Sequence, residues 1–141
     1  MAELKISTGL EEVRINDKVT VWLDFADADF VLKVAEAFDE MGAIHDKCAE
    51  IVSDKSTDIK AMSAAMKEAD SGIREKINTL FGEDICTPVF GEKSIVSPAD
   101  GLPRWCNLML ALVDEINAHL AEQQKKTAPR LDKYTAKYLK K

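Results

Sequence analysis

The sequence predicts an α+β fold that is mostly α: an N-terminal β-hairpin, a long antiparallel helical hairpin, an ordered loop and a third amphipathic helix with a basic tail. Near the N-terminus, apolar and polar residues alternate around a short polar turn, which is typical of a hairpin. Three later stretches repeat apolar residues every three or four positions, which is typical of amphipathic helices. We expect one α-rich domain over residues 1–124, followed by the tail at 125–141.

The hairpin is predicted on either side of the polar turn Asn16–Lys18. Its inward face should collect the alternating apolar residues Val13, Ile15, Val19, Val21, Leu23 and Phe25. Leu4–Ile6 alternates in the same way and predicts a short additional edge strand. Because a single hairpin is only marginally stable in water, its apolar face must pack on the helices.

Two long helices follow the hairpin. Asp27 or Asp29 can cap the first, and Ser56 or Thr57 can cap the second. The apolar stripe of the first helix is Phe30, Val34, Phe38, Met41, Ile44, Cys48 and Ile51. That of the second is Ile59, Met62, Met66, Ala69, Ile73, Ile77 and Leu80. The short polar connection between the helices favours antiparallel packing, and Gly82 is a natural stop for the second helix.

Residues 82–103 are interrupted by proline and glycine but keep apolar side chains, which predicts an ordered loop packed on the helices. The third helix is predicted from Pro103 to Gln124 and has the strongest amphipathic pattern in the chain. Its apolar face is Trp105, Leu108, Met109, Leu112, Val113, Ile116 and Leu120. Beyond Gln124 the sequence becomes basic, and we expect Pro129 to break the helix.

The net charge of −6 is distributed unevenly along the chain. Residues 125–141 hold seven basic residues and one acidic residue, which gives +6. Residues 1–124 hold the other 12 basic and 24 acidic residues, which gives −12. An acidic body would repel phosphate, so we expect no nucleic-acid partner.

Two interpretations of the basic tail stay open. Its composition is typical of a solvated, disordered end that improves solubility. Alternatively, the tail folds on a partner protein, with the lysines attracting the partner and apolar side chains at helical spacing anchoring it. The candidate partner-binding residues are Lys125, Lys126, Arg130, Lys133, Tyr134, Lys137, Tyr138, Lys140 and Lys141.

The sequence presents no catalytic, cofactor or metal site, and we expect no enzyme. Nucleophilic catalysis needs a base beside the nucleophile, and both histidines, His45 and His119, fall inside helical patterns. Cys48, Cys86 and Cys106 lack paired spacing, so we expect buried thiols rather than disulfides or zinc ligands. No stretch is apolar enough to span a membrane and no secretory signal is visible, so we expect a cytoplasmic protein.

Several short motifs occur in a particular order along the chain. Asp24–Phe30 leads into the first helix, Lys76–Asp84 and Pro88–Gly91 surround the start of the loop, and Pro129–Arg130 lies in the basic tail. This order resembles the small tail-assembly chaperones of tailed phages and prophages, particularly those from Gram-positive hosts. In that family a "FADxxF"-like start, an "IxxxFGE" middle and a basic end recur. Here Ala128–Leu131 stands where Ser-Pro-Asn-Arg is usual, and lysines replace the closing arginines.

The resemblance implies a non-catalytic protein that coats the long, helical, aggregation-prone tape-measure protein until tube subunits polymerise around it. Self-association into a homo-oligomer is compatible with this function. A rival hypothesis is a phage-encoded inhibitor that binds directly to a host defence or regulatory protein, because an acidic body can mimic nucleic acid. The two hypotheses differ in the protein that is bound.

Overall fold

The computed structural model describes residues 1–138, with the side chains of residues 128, 131 and 134–138 left aside. Numbered in chain order, its elements are β1 (Glu11–Ile15), β2 (Val19–Leu23), α1 (Ala28–Ser53), α2 (Ile59–Phe81), α3 (Cys86–Phe90), β3 (Pro98–Ala99), β4 (Leu102–Pro103) and α4 (Arg104–Tyr138). The α+β, mostly α fold class predicted from the sequence is therefore confirmed.

The predicted hairpin is formed by β1 and β2, which pair antiparallel with Val13 opposite Val21. Asn16 and Asp17 both adopt positive φ, which these short polar residues tolerate better than most, and the N–H of Lys18 closes the turn on the carbonyl of Ile15. The alternating pattern of β2 predicts its buried face correctly, because Val21 and Leu23 are buried in the core.

The additional strand predicted at Leu4–Ile6 is wrong. Residues 1–10 form no strand, and the side chains of Leu4 and Ile6 are 91% and 80% exposed. Three residues would form few ladder hydrogen bonds, which is too little to offset the conformational entropy lost on ordering them.

Helices α1 and α2 form the predicted antiparallel pair. Lys76 Nζ lies 2.7 Å from Glu40 Oε2, and one turn along, a Cβ added to Gly72 would lie 3.5 Å from Ile44 Cδ1. The residue numbers rise along one helix as they fall along the other, which only antiparallel helices allow. Asp27 caps α1 as expected, whereas Asp58, not Ser56 or Thr57, caps α2 by accepting a hydrogen bond from the N–H of Ala61 at 2.8 Å.

The loop at 82–103 is ordered, as predicted, and contains α3 and the minimal β3–β4 pair. Ile85 and Ile95 are completely buried, so the loop contributes directly to the core. Asn78 of α2 anchors its start, because its Oδ1 accepts hydrogen bonds from the N–H groups of Ile85 (3.0 Å) and Cys86 (3.2 Å). Farther along, Asp70 Oδ1 accepts one from the N–H of Ile95 at 2.8 Å.

The sequence predicts that the third helix ends at Gln124 and that Pro129 breaks it. Both predictions are wrong, because α4 continues to Tyr138. A proline inside a helix removes one backbone hydrogen bond, that to the carbonyl four residues earlier. Water can solvate the freed carbonyl here, because Lys125 is exposed. The good helix formers on either side of Pro129 then allow the helix to continue.

Candidate functional site

The C-terminal half of α4 extends beyond the protein core. The first turn of α4 lies against the middle of α1, where the ring of Trp105 is 5.8 Å from that of Phe38. Four turns later, the ring of His119 is 4.7 Å from Phe25, which precedes α1. Helix α4 therefore runs antiparallel to α1 and passes its N-terminal end. Ile116 is the last buried residue of α4 among those described.

We name residues 120–138 the α4 extension. Every described side chain from Leu120 to Lys133 is exposed. At 1.5 Å per residue, the helix from His119 to Tyr138 is about 28 Å long. The α4 extension continues a helix that is packed on the core, but its own described side chains are exposed, so a partner that covers it would bury surface that the core does not.

One face of the α4 extension is cationic. Lys126, Arg130 and Lys133 follow each other at spacings of four and three residues, which places them on the same side of the helix. Lys126 Nζ lies 3.5 Å from Glu122 Oε1. Both side chains are exposed, and an exposed ion pair contributes little to stability. The three positive charges remain available to an acidic partner.

The structure brings only some of the predicted partner-binding residues together. Lys126, Arg130 and Lys133 share the cationic face, and Lys125 is exposed but lies a quarter turn away. Residues 134, 137 and 138 belong to the same helix, and their side chains are outside the described set. Lys140 and Lys141 lie outside the described residues altogether.

A histidine clamp at the base of the α4 extension was not predicted from the sequence. His119 Nδ1 lies 2.8 Å from the carbonyl oxygen of Glu115, and its Nε2 lies 2.6 Å from Glu11 Oε2 in β1. Both neighbours are acceptors, so both contacts are hydrogen bonds only when the imidazole carries two protons. The hydrogen bond to Glu115 and, beyond it, the carboxylate of Glu11 raise the pKa of His119 above its ordinary value of 6.5. The clamp thus connects the hairpin to α4.

This clamp predicts a pH-dependent stability. Because the folded-state pKa of His119 is raised, its contribution is fully present below the unfolded pKa of 6.5 and is lost as pH rises through the folded pKa. We expect the substitution His119→Gln to lower the free energy of unfolding by more at about pH 5.5 than at about pH 8.5. Urea unfolding of both proteins at the two pH values measures the difference, and an equal or larger gap at the higher pH would contradict the charged clamp.

The other reactive side chains, His45 and the three cysteines, lie in environments typical of packing residues. Trp105 Nε1 donates to His45 Nδ1 at 3.3 Å, which places the lone pair of His45 on that nitrogen. Burial raises the pKa of the Cys86 thiol to about 12, and it also raises the pKa values of Cys48 and Cys106. All three cysteines are free. In the described part of the chain, no group of three or more potential metal ligands occurs.

No helix within residues 1–138 has the length and apolarity needed to cross a membrane. The chain matches no protein-family model, and comparisons with curated proteins and with solved structures found no match.

Proposed function

We propose that this protein is a non-catalytic binding protein that acts as a tail-assembly chaperone in the cytoplasm of a bacterial host. In this proposal the α4 extension holds the tape-measure protein of a tailed phage or prophage until the tail tube assembles around it. The observation that carries the proposal is a helix that leaves its own core and presents Lys126, Arg130 and Lys133 to solvent. The motif resemblance supplies the identity of the client.

Charge and shape together favour a helical, acidic client. A projecting helix can lie along another helix, and the cationic face selects partners with exposed carboxylates. Exposed ion pairs contribute only about 0.2–1 kcal/mol each, so the charges provide selectivity and fast association, while apolar contacts must provide most of the affinity. The exposed Leu120 lies at the base of the same extension and offers one such contact.

Co-expression with the tape-measure protein encoded in the same genome tests this proposal. We expect the wild-type chain to keep the tape-measure protein soluble and to co-purify with it. Reversing the cationic face with Lys126→Glu, Arg130→Glu and Lys133→Glu in the full-length chain should reduce the co-purified amount by about tenfold or more. All three side chains are exposed, so the fold should be unaffected.

A matched control reverses three other exposed lysines, Lys33, Lys55 and Lys60, and thereby changes the net charge equally. This control should behave as wild type. Equal recovery with the reversed cationic face would show that the α4 extension is not the binding element. If the tape-measure protein stays insoluble with every version, the chaperone function is wrong. Inhibition of a host defence or regulatory protein by the acidic body then becomes the better hypothesis.

A further inference from the structure

The outward face of α1 carries an acidic stripe. Its side chains are all exposed, and within the described residues none of its carboxylates takes part in an ion pair. We name this set the acidic α1 stripe; it consists of Glu36, Asp39, Asp46 and Glu50. The small residue Ala43 lies between its two halves on the same side of the helix.

The acidic α1 stripe and the cationic face of α4 have the same spacing. Residues 39, 43 and 46 follow each other by four and three positions, as do residues 126, 130 and 133. In both helices the first and third positions are therefore about 10 Å apart along the axis. If the two helices lie parallel, Lys126 faces Asp39, Lys133 faces Asp46, and the long side chain of Arg130 lies over the small Ala43.

The two faces of one molecule cannot meet. Helix α4 runs antiparallel to α1, and His119 is level with Phe25 near the start of α1. From that level, Lys126 is about 10 Å farther out, whereas Asp39 is about 16 Å back along α1. The charges are thus separated by about 25 Å along the helix axes, and a partner for either face must come from another molecule.

We infer that a second copy of this chain covers the cationic face, with the α4 extension of each copy lying along the acidic α1 stripe of the other. A two-fold arrangement satisfies both faces of both copies at once. The contact consists mainly of exposed ion pairs, so the association should be weak, on the order of micromolar or weaker, and salt-sensitive. This inference goes beyond the proposed function, because no client takes part.

Charge reversal in matched variants tests the contact without any client. One full-length variant carries Asp39→Lys and Asp46→Lys, which places lysine opposite lysine at both paired positions. A second carries Lys126→Glu and Lys133→Glu, which makes both faces acidic. Sedimentation velocity at about 0.05 M salt should show self-association of wild type, lost at about 0.5 M salt. Each variant alone should associate at least about tenfold more weakly.

Mixing the two variants gives the decisive result. Lysines at positions 39 and 46 then face glutamates at positions 126 and 133, and the original aspartates face the original lysines. The mixture should therefore form heterodimers at concentrations at which each variant alone is monomeric. Glu68→Lys with Glu75→Lys on α2 is the control, because it alters net charge as much as the first variant but should self-associate like wild type. A monomeric wild type at low salt, or a mixture that stays monomeric, would overturn the inference whatever the outcome with the client.

Discussion

Replacing Trp105 with alanine should lower the free energy of unfolding by about 3–5 kcal/mol, a large part of the roughly 5–15 kcal/mol typical of a domain. Its side chain is only 2% exposed, and its ring meets Phe38 edge-on. Its indole N–H donates to His45, and its backbone N–H donates to the carbonyl of Ile95. The alanine variant would leave a large cavity where α1, the loop and α4 meet. Urea unfolding followed by circular dichroism measures the loss.

The second tryptophan is a natural control for this prediction. Trp22 lies on the outer face of the hairpin and is 60% exposed, so Trp22→Ala should change stability by less than about 1 kcal/mol. Trp105→Phe should fall between the two, because it keeps most of the ring contacts but loses the hydrogen bond to His45. Similar losses in the two alanine variants would contradict the described packing of α4 on α1.

Replacing Asn78 with alanine should destabilise the protein by about 1–3 kcal/mol. The Asn78 side chain accepts from the backbone N–H groups of Ile85 and Cys86 and donates to Asp84 Oδ1 at 3.0 Å. Ile85 and Cys86 are buried, so alanine would leave two backbone donors without a partner in a region that water reaches poorly. Urea unfolding again measures the effect.

The neighbouring Thr79 serves as the comparison for Asn78. It lies on the same turn of α2, its side chain is exposed, and Thr79→Ala should change stability by less than about 0.5 kcal/mol. Amide hydrogen exchange at Ile85 and Cys86 should accelerate in the Asn78→Ala variant only. Unchanged exchange there would show that Asn78 does not anchor the loop.

Local patterns predicted most of this fold because their causes are local. Alternation around Asn16–Lys18 reflects the two faces of a strand, and the capping carboxylate of Asp27 accepts a hydrogen bond from the N–H of Phe30, only three residues away. Gly82 adopts φ +78° after α2, a conformation that glycine reaches without steric cost. These features need no knowledge of distant residues.

Contacts between residues that are far apart in the sequence cannot be predicted from local patterns. Spacing alone could have paired His119 with Glu115, but the contact to Glu11 depends on where the hairpin docks. The sequence underestimates the length of α4 because proline usually breaks a helix, although an exposed helix can lose one backbone hydrogen bond and continue. The sequence predicts a basic tail, but only the continuous helix of the structure places Lys126, Arg130 and Lys133 on one side.

We propose that the α4 extension is the element that holds the client. Hydrogen exchange read by mass spectrometry, on dilute protein with and without purified tape-measure protein, tests it most directly. We expect rapid exchange over residues 120–133 in the free chain, because this part of the helix is exposed and outside the core. Adding the tape-measure protein should protect these residues most strongly. Protection confined to other parts of the molecule, with residues 120–133 unchanged, would show that the α4 extension does not bind the client.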